Sequence, residues 1–131
     1  MRENNGISEV FSELVKLCAL LRSEEGCMWD REQSHRSLLP YLREEAAEVE
    51  EAVEKGDTGN LKEELGDLLY QVVFHSQIAS ENGDFSVYDV IKGIIEKLIR
   101  RHPHVFSDKK VSSVEEIISN WKEIKKNEKN L

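Results

Sequence analysis

From Ser37 to Glu81 the chain reads SLLPYLREEAAEVEEAVEKGDTGNLKEELGDLLYQVVFHSQIASE, and this stretch decides the fold. Apolar residues recur at helical spacing on both sides of Gly56-Asp57-Thr58-Gly59-Asn60, a cluster of turn-favouring residues. Two helices with so short a connection form an antiparallel hairpin. The first helix begins near Ser37, a suitable N-cap, because Pro40 is tolerated only in the opening turn. It reaches about Glu54, where Gly56 and Asp57 stop it. Asn60-Leu61-Lys62-Glu63 has the form of a capping box and starts the second helix, which continues to about Glu81 before Gly83 ends it.

The remaining elements are read in the same way. A helix from about Ser8 to Leu21 carries Val10, Phe11, Leu14, Cys18 and Leu21 on one face. The stretch from Gly26 to Ser37 lacks that periodicity and reads as a loop. Ser86-Val87-Tyr88-Asp89 opens a helix with Val87, Ile91, Ile94 and Leu98, and His102-Pro103 closes it. Ser113-Val114-Glu115-Glu116 opens the last helix, with Val114, Ile117, Ile118, Trp121 and Ile124 inward. The charged tail from Lys125 frays, and the ends, about residues 1–6 and 126–131, are expected to lack order. No strand pattern or internal repeat appears. The expected fold is all-α, a four- to five-helix bundle built on the hairpin and completed by dimerisation.

At 131 residues and 39% hydrophobic content, the expectation is one domain with a modest core. A formal net charge of -8 argues against binding a nucleic-acid duplex, which needs a basic footprint. Apolar runs are far shorter than the roughly 20 residues of a membrane span, and the polar start MRENNG is not a secretory signal, so a cytoplasmic protein is expected. Cys18 in a helical pattern and Cys27 in a loop argue against a disulfide scaffold and for a reduced Cys18 in the core.

The second hairpin helix is apolar on two sides. Leu61, Leu65, Leu68, Val72 and Ala79 share one face; Tyr70, Phe74 and Ile78 lie roughly opposite when residues advance by about 100° each. In so short a chain the second surface fits a homodimer or a dimer of dimers. A central helix wrapped by the other four in a monomer is the alternative.

Two acidic pairs stand at i, i+3 spacing, Glu45 with Glu48 and Glu64 with Asp67, and each pair stacks on one helix face. In an antiparallel hairpin, residues whose numbers have nearly equal sums lie level. Glu45 should therefore face Asp67, and Glu48 should face Glu64, within an offset of about two residues or roughly 3 Å. Converging carboxylates repel one another unless a cation neutralises them, and all-oxygen ligands select Mg²⁺ or Mn²⁺. A di-iron centre wants Glu-x-x-His on its helices, and the one match, Glu32 with His35, falls in the loop. The first hairpin helix is dense in Glu, which taken alone favours a solvated face. The matched pair on the next helix favours a metal site. Gly66, inside the second pair, costs about 1 kcal/mol relative to Ala, and close helix approach would explain its presence.

These acids form the string Glu-Glu-x-x-Glu followed by Glu-x-x-Asp, on Glu44, Glu45, Glu48, Glu64 and Asp67. With Gly26-Cys27-Met28-Trp29-Asp30, Gln33 and His35, Val72-Val73-Phe74-His75, Lys97-Leu98-Ile99-Arg100-Arg101-His102-Pro103-His104-Val105-Phe106 and Trp121, the chain resembles the MazG family of all-α nucleoside triphosphate pyrophosphohydrolases over nearly its whole length. The form is a single domain like the first half of tandem family members. The resemblance implies Mg²⁺, with Mn²⁺ as a substitute, on Glu45, Glu48, Glu64 and Asp67. It further implies hydrolysis of a nucleoside triphosphate between the α and β phosphates, with broad or house-cleaning specificity. Glu44 and Glu48 are the catalytic candidates, Glu44 for orienting or deprotonating the attacking water.

Lys97, Arg100 and Arg101 project one basic stripe suited to gripping β and γ phosphates, or else complement the dipole at a helix C-terminus. Trp121 is a candidate nucleotide contact or a core anchor, and Glu63, next to the motif acid Glu64, goes with the substrate contacts. Trp29, Asp30, Gln33 and His35 form either a base-side lid or a capping and packing element. No GxxxxGK phosphate loop is present. Met28 departs from the Pro usual in the family. The halves of tandem members need not be equally active, so a non-catalytic nucleotide-binding or regulatory module stands as an alternative. So does a base-selective enzyme acting on dUTP, dCTP or phosphoribosyl-ATP.

Overall fold

The computed structural model describes residues 6–129, so the expected disorder of residues 1–5 and 130–131 lies outside the described residues. Every regular element among them is helical, as the sequence led us to expect. The chain divides into two compact units, Met1–Val87 and Tyr88–Leu131.

The first unit holds α1 (Ile7–Leu21), α2 (Met28–Glu32), α3 (His35–Lys55) and α4 (Thr58–Glu81). The helices α3 and α4 form the expected antiparallel hairpin and are the most extensively packed pair, with α1 lying on α4. Gly56 closes α3 in the left-handed region at φ 66°, and the Asp57 carboxylate accepts from the Asn60 N–H at 3.1 Å to cap α4. The cap of α4 is therefore Asp57 and not Asn60. The helix α3 likewise begins earlier than the Ser37 start expected from Pro40. Ser34 is its N-cap, the Ser34 hydroxyl accepts from Ser37 N–H at 3.1 Å, and Ser34 N–H donates to the Ser37 hydroxyl at 2.8 Å. Pro40 consequently lies inside the helix, where it removes one backbone bond. The expected loop from Gly26 to Ser37 contains the short α2.

The core gathers Cys18, Leu38, Val73, Phe74 and Ile78, with Phe11, Leu14, Val15 and Tyr70 packed against it. This decides which side of α4 faces inward. Phe74 is 1% exposed, whereas Leu65 is 48% and Leu69 43% exposed. The Tyr70–Phe74–Ile78 side builds the core, while on the leucine side Ala79 is buried, Leu61 and Leu68 are half-buried and Leu65 and Val72 stay exposed. Cys18 and Cys27 are both free. Gly66 is not a point of close approach: a Cβ there would meet nothing within 4 Å.

The second unit continues α5 (Val87–Arg101), then α6 (Pro103–Phe106) and α7 (Val114–Lys129). Pro103 ends α5, as expected, but itself opens the one-turn α6. The final helix runs to Lys129, so residues 126–129, expected at a frayed end, are helical. Among the described residues no helix is long and apolar enough to cross a membrane.

Candidate active site

The hairpin brings Glu45, Glu48, Glu64 and Asp67 together: each offers a carboxylate oxygen, and these oxygens all lie within 4.8 Å of one another. Three of the side chains are half-buried and Asp67 is exposed, so the group sits at the margin of the α3–α4 seam. No lysine or arginine among the described residues pairs with any of the four.

Proton affinities show the strain of this crowding. The Glu64 carboxyl is pushed up to about 7, first by the Glu48 carboxyl within proton-sharing reach, then by desolvation and the Glu45 charge. Burial, followed by the charges of Glu48 and Asp67, pushes Glu45 up as well. Glu45 Oε2 and Glu64 Oε2 are buried and lack any hydrogen-bond partner. Two shielded acceptors with no donor, in an all-oxygen set, fit a hard divalent cation.

Other candidates are placed differently. Glu44 and Glu63 are exposed and stand outside this group. Trp29 is 46% exposed and meets Tyr41 edge-on, with centroids 5.6 Å apart. Around it the side chains make local contacts. Gln33 Nε2 donates to the Trp29 carbonyl at 2.9 Å, and Ser37 Oγ donates to Gln33 Oε1 at 2.7 Å. The Asp30 carbonyl accepts from Arg22, and His35 meets His75.

In the second unit, Arg100 and Arg101 converge on one carboxylate. Arg100 Nε donates to Glu128 Oε2 at 2.5 Å and Arg101 Nη2 to Glu128 Oε1 at 2.9 Å. Lys97 is half-buried on the same helix. Trp121 lies edge-on to His102 at 5.4 Å, its Nε1 buried and without a partner. It lines a cavity of about 400 Å³ with Leu98, Arg101, His102, Ile118, Lys122 and Lys125. Sequence reading missed Glu128, Lys122 and Lys125. Glu128 follows Trp121 by seven residues and Ile124 by four, so the inward periodicity of α7 carried that signal.

An all-helical chain whose hairpin gathers four acidic groups, none paired with a lysine or arginine among the described residues, has the all-oxygen set that a hard divalent cation takes. A family model described as the MazG nucleotide pyrophosphohydrolase domain matches residues 33–106, and the chain belongs to this family.

Over 120 residues the chain is 53% identical to the nucleoside triphosphate pyrophosphohydrolase/pyrophosphatase MazG of Thermotoga maritima, covering 92% of this chain and 46% of that protein. Over 130 residues it is 46% identical to the uncharacterized protein YabN of Bacillus subtilis, covering 99% of this chain and 27% of YabN. The chain thus spans between about a quarter and a half of the length of these curated relatives. The crystal structure of a mazG-related protein from Thermotoga maritima superposes with a TM-score of 0.71 at 35% identity, covering 88% of this chain and 98% of that one.

Proposed function

We propose that the 131 residues form one catalytic domain that hydrolyses nucleoside triphosphates between the α and β phosphates, releasing a nucleoside monophosphate and pyrophosphate. The observation that carries this reading is the group of four carboxylates within 4.8 Å, two of whose buried oxygens have no partner. The name of the Thermotoga maritima relative supports it.

Glu45, Glu48, Glu64 and Asp67 would hold Mg²⁺, or Mn²⁺ in its place. When bound, the ion supplies charge neutralisation at the triphosphate oxygens and a lowered pKa for water. Glu44 orients the attacking water and accepts its proton as the water oxygen bonds to the α-phosphorus; the bond from that phosphorus to the α–β bridging oxygen breaks, and pyrophosphate leaves with that oxygen and the electron pair. Lys97, Arg100 and Arg101 hold the β and γ phosphates. Trp121, Trp29 and Glu63 contact the rest of the nucleotide, and broad, house-cleaning specificity in the cytoplasm suits the exposed settings of Trp29 and Glu63. A second copy of the chain covers the bare Leu65–Leu69–Val72 face of α4, giving a homodimer or a dimer of dimers.

A panel of canonical, deoxy and damaged nucleoside triphosphates with MgCl2, assayed for both products, tests this. Monophosphate and pyrophosphate should appear in equal amounts, and Glu48→Gln should abolish turnover while the helical circular-dichroism signal persists. Absence of release from every nucleotide overturns the catalytic reading in favour of a nucleotide-binding module. Turnover of a single pyrimidine nucleotide overturns the broad specificity.

A further inference from the structure

Both oxygens of Glu128, in the last turn of α7, are committed to the two arginines at the end of α5, at 2.5 Å from Arg100 Nε and 2.9 Å from Arg101 Nη2. Adjacent guanidinium groups repel, and here a single carboxylate holds them together. A carboxylate and a phosphate present the same paired-oxygen edge to an arginine fork, so Glu128 occupies the donors that an incoming phosphate would use. The contact is reachable: Arg100 is 49% exposed, and a cavity of about 350 Å³ beside it is lined by Arg101, Lys125, Glu128 and Lys129. In that lining Glu128 is the one acid among three cations.

We infer that Glu128 is a built-in competitor for the phosphate-binding arginines, a carboxylate stand-in that a polyphosphate must displace before Arg100 and Arg101 can grip it. This rests on the phosphate-gripping reading of those two residues. Arg101 first and Arg100 second hold the Glu128 carboxyl down at about 2, so protonation does not free the arginines near neutral pH. Release comes by exchange with an anion of higher charge. A triphosphate chain, with several charges to place among Arg100, Arg101, Lys125 and Lys129, displaces one carboxylate more readily than a monophosphate does. Glu128 thereby lowers the affinity for every phosphate that uses these arginines by a common factor, because only the fraction of molecules with free arginines is competent to bind.

Calorimetric titration of the full chain with inorganic tripolyphosphate tests the inference without requiring turnover. Glu128→Gln should bind the probe about threefold to tenfold more tightly, the range expected for releasing two partly exposed ion pairs. Glu123→Gln, an equal change in net charge elsewhere on α7, should stay within about twofold of the parent. The tightening should vanish when Arg100 and Arg101 are also changed to Gln, which isolates the coupling. Should Glu128→Gln disturb the helix, Glu128→Asp, one methylene short of the arginines, should give a smaller gain in the same direction.

Unchanged or weaker binding by Glu128→Gln, with Arg100→Gln or Arg101→Gln also weaker, overturns the competitor and leaves the phosphate grip standing. Equal tightening by Glu123→Gln overturns it as a bulk charge effect. Full-strength binding by both arginine variants removes the phosphate grip itself, and the competitor with it.

Discussion

The His35 and His75 rings lie parallel within 3°, and their Nδ1 atoms approach to 2.8 Å, tying the first turn of α3 to the middle of α4. At that distance one nitrogen donates and the other accepts, so the pair does not tolerate a proton on both facing atoms. His75 Nε2 is buried and has no partner, and burial first, then the His35 charge, pushes the His75 pKa below its ordinary 6.5.

The folded pKa of His75 thus lies below the unfolded one. The pair's stabilisation is present above about pH 6.5 and is lost as pH falls below it. His75→Gln should cost about 1 kcal/mol at pH 7, and the deficit should shrink toward pH 5. Urea unfolding of both chains at each pH measures the deficit as a difference, in which the acidic group's own titration, common to the two chains, cancels. Parallel pH profiles would show that the pair has no part in acid sensitivity.

Gly26 and Gly66 should respond to alanine in opposite directions. A Cβ on Gly26 would sit 2.2 Å from the Leu20 carbonyl oxygen and 2.4 Å from that of Leu21, where the chain folds back over the end of α1. Gly26→Ala must therefore open that turn and should lose about 1–3 kcal/mol in urea unfolding. At Gly66 the Cβ meets open space inside a regular helix, so alanine should gain up to about 1 kcal/mol. A loss at Gly66 would mean that another surface closes on that flank of α4.

The acidic centre was legible because it depends on two local regularities, i, i+3 stacking and level pairing across a short turn. Both survive a small error in helix ends. Those ends were harder to read: Ser34 and Ser37 are both capping residues, and only their reciprocal bonds show that the cap is Ser34. The helices α2 and α6, of 5 and 4 residues, are too short for periodicity to register. Periodicity revealed both apolar sides of α4, but only packing decides that Phe74 goes in while Leu65 stays out. The partner of Arg101 lies 27 residues along the chain, a pairing no local pattern encodes.

Crowding at Glu64 predicts a coupling between protons and metal. Its folded pKa, about 7, lies above the ordinary 4.5, so its contribution to metal-free stability is full below about pH 4.5 and is lost as pH rises through 7. A divalent cation needs the ionised form and must displace that proton. The gain in melting temperature from MgCl2 should therefore be larger at pH 8 than at pH 6, with proton release visible in buffers of different ionisation enthalpy. Glu64→Gln, which takes away a ligand together with that proton, should shrink the gain more at pH 8 than at pH 6. A gain that is equal at both pH values in the parent chain would show that no proton is held there.

Arg22 should be the most costly polar side chain to remove from the first unit. Its Nε and Nη2 each donate to the Glu81 carboxylate at 2.9 Å, and Nη1 donates to the Asp30 carbonyl at 2.5 Å and the Gln33 carbonyl at 3.2 Å. The guanidinium also lies 5.5 Å from the centre of the Phe74 ring. One side chain, 8% exposed, thus joins the end of α1 to the segment carrying Trp29 and to the end of α4. Arg22→Ala should lose about 3 kcal/mol, since it strands two carbonyls and a carboxylate together. Arg22→Lys should recover little, because one ammonium does not span both partners. Glu81→Gln should cost under about 1 kcal/mol, because Glu81 is 39% exposed and the carbonyl bonds remain. Urea unfolding of the three variants gives the order. If Glu81→Gln proves as damaging as Arg22→Ala, the ion pair holds this corner, and the backbone carbonyls follow it.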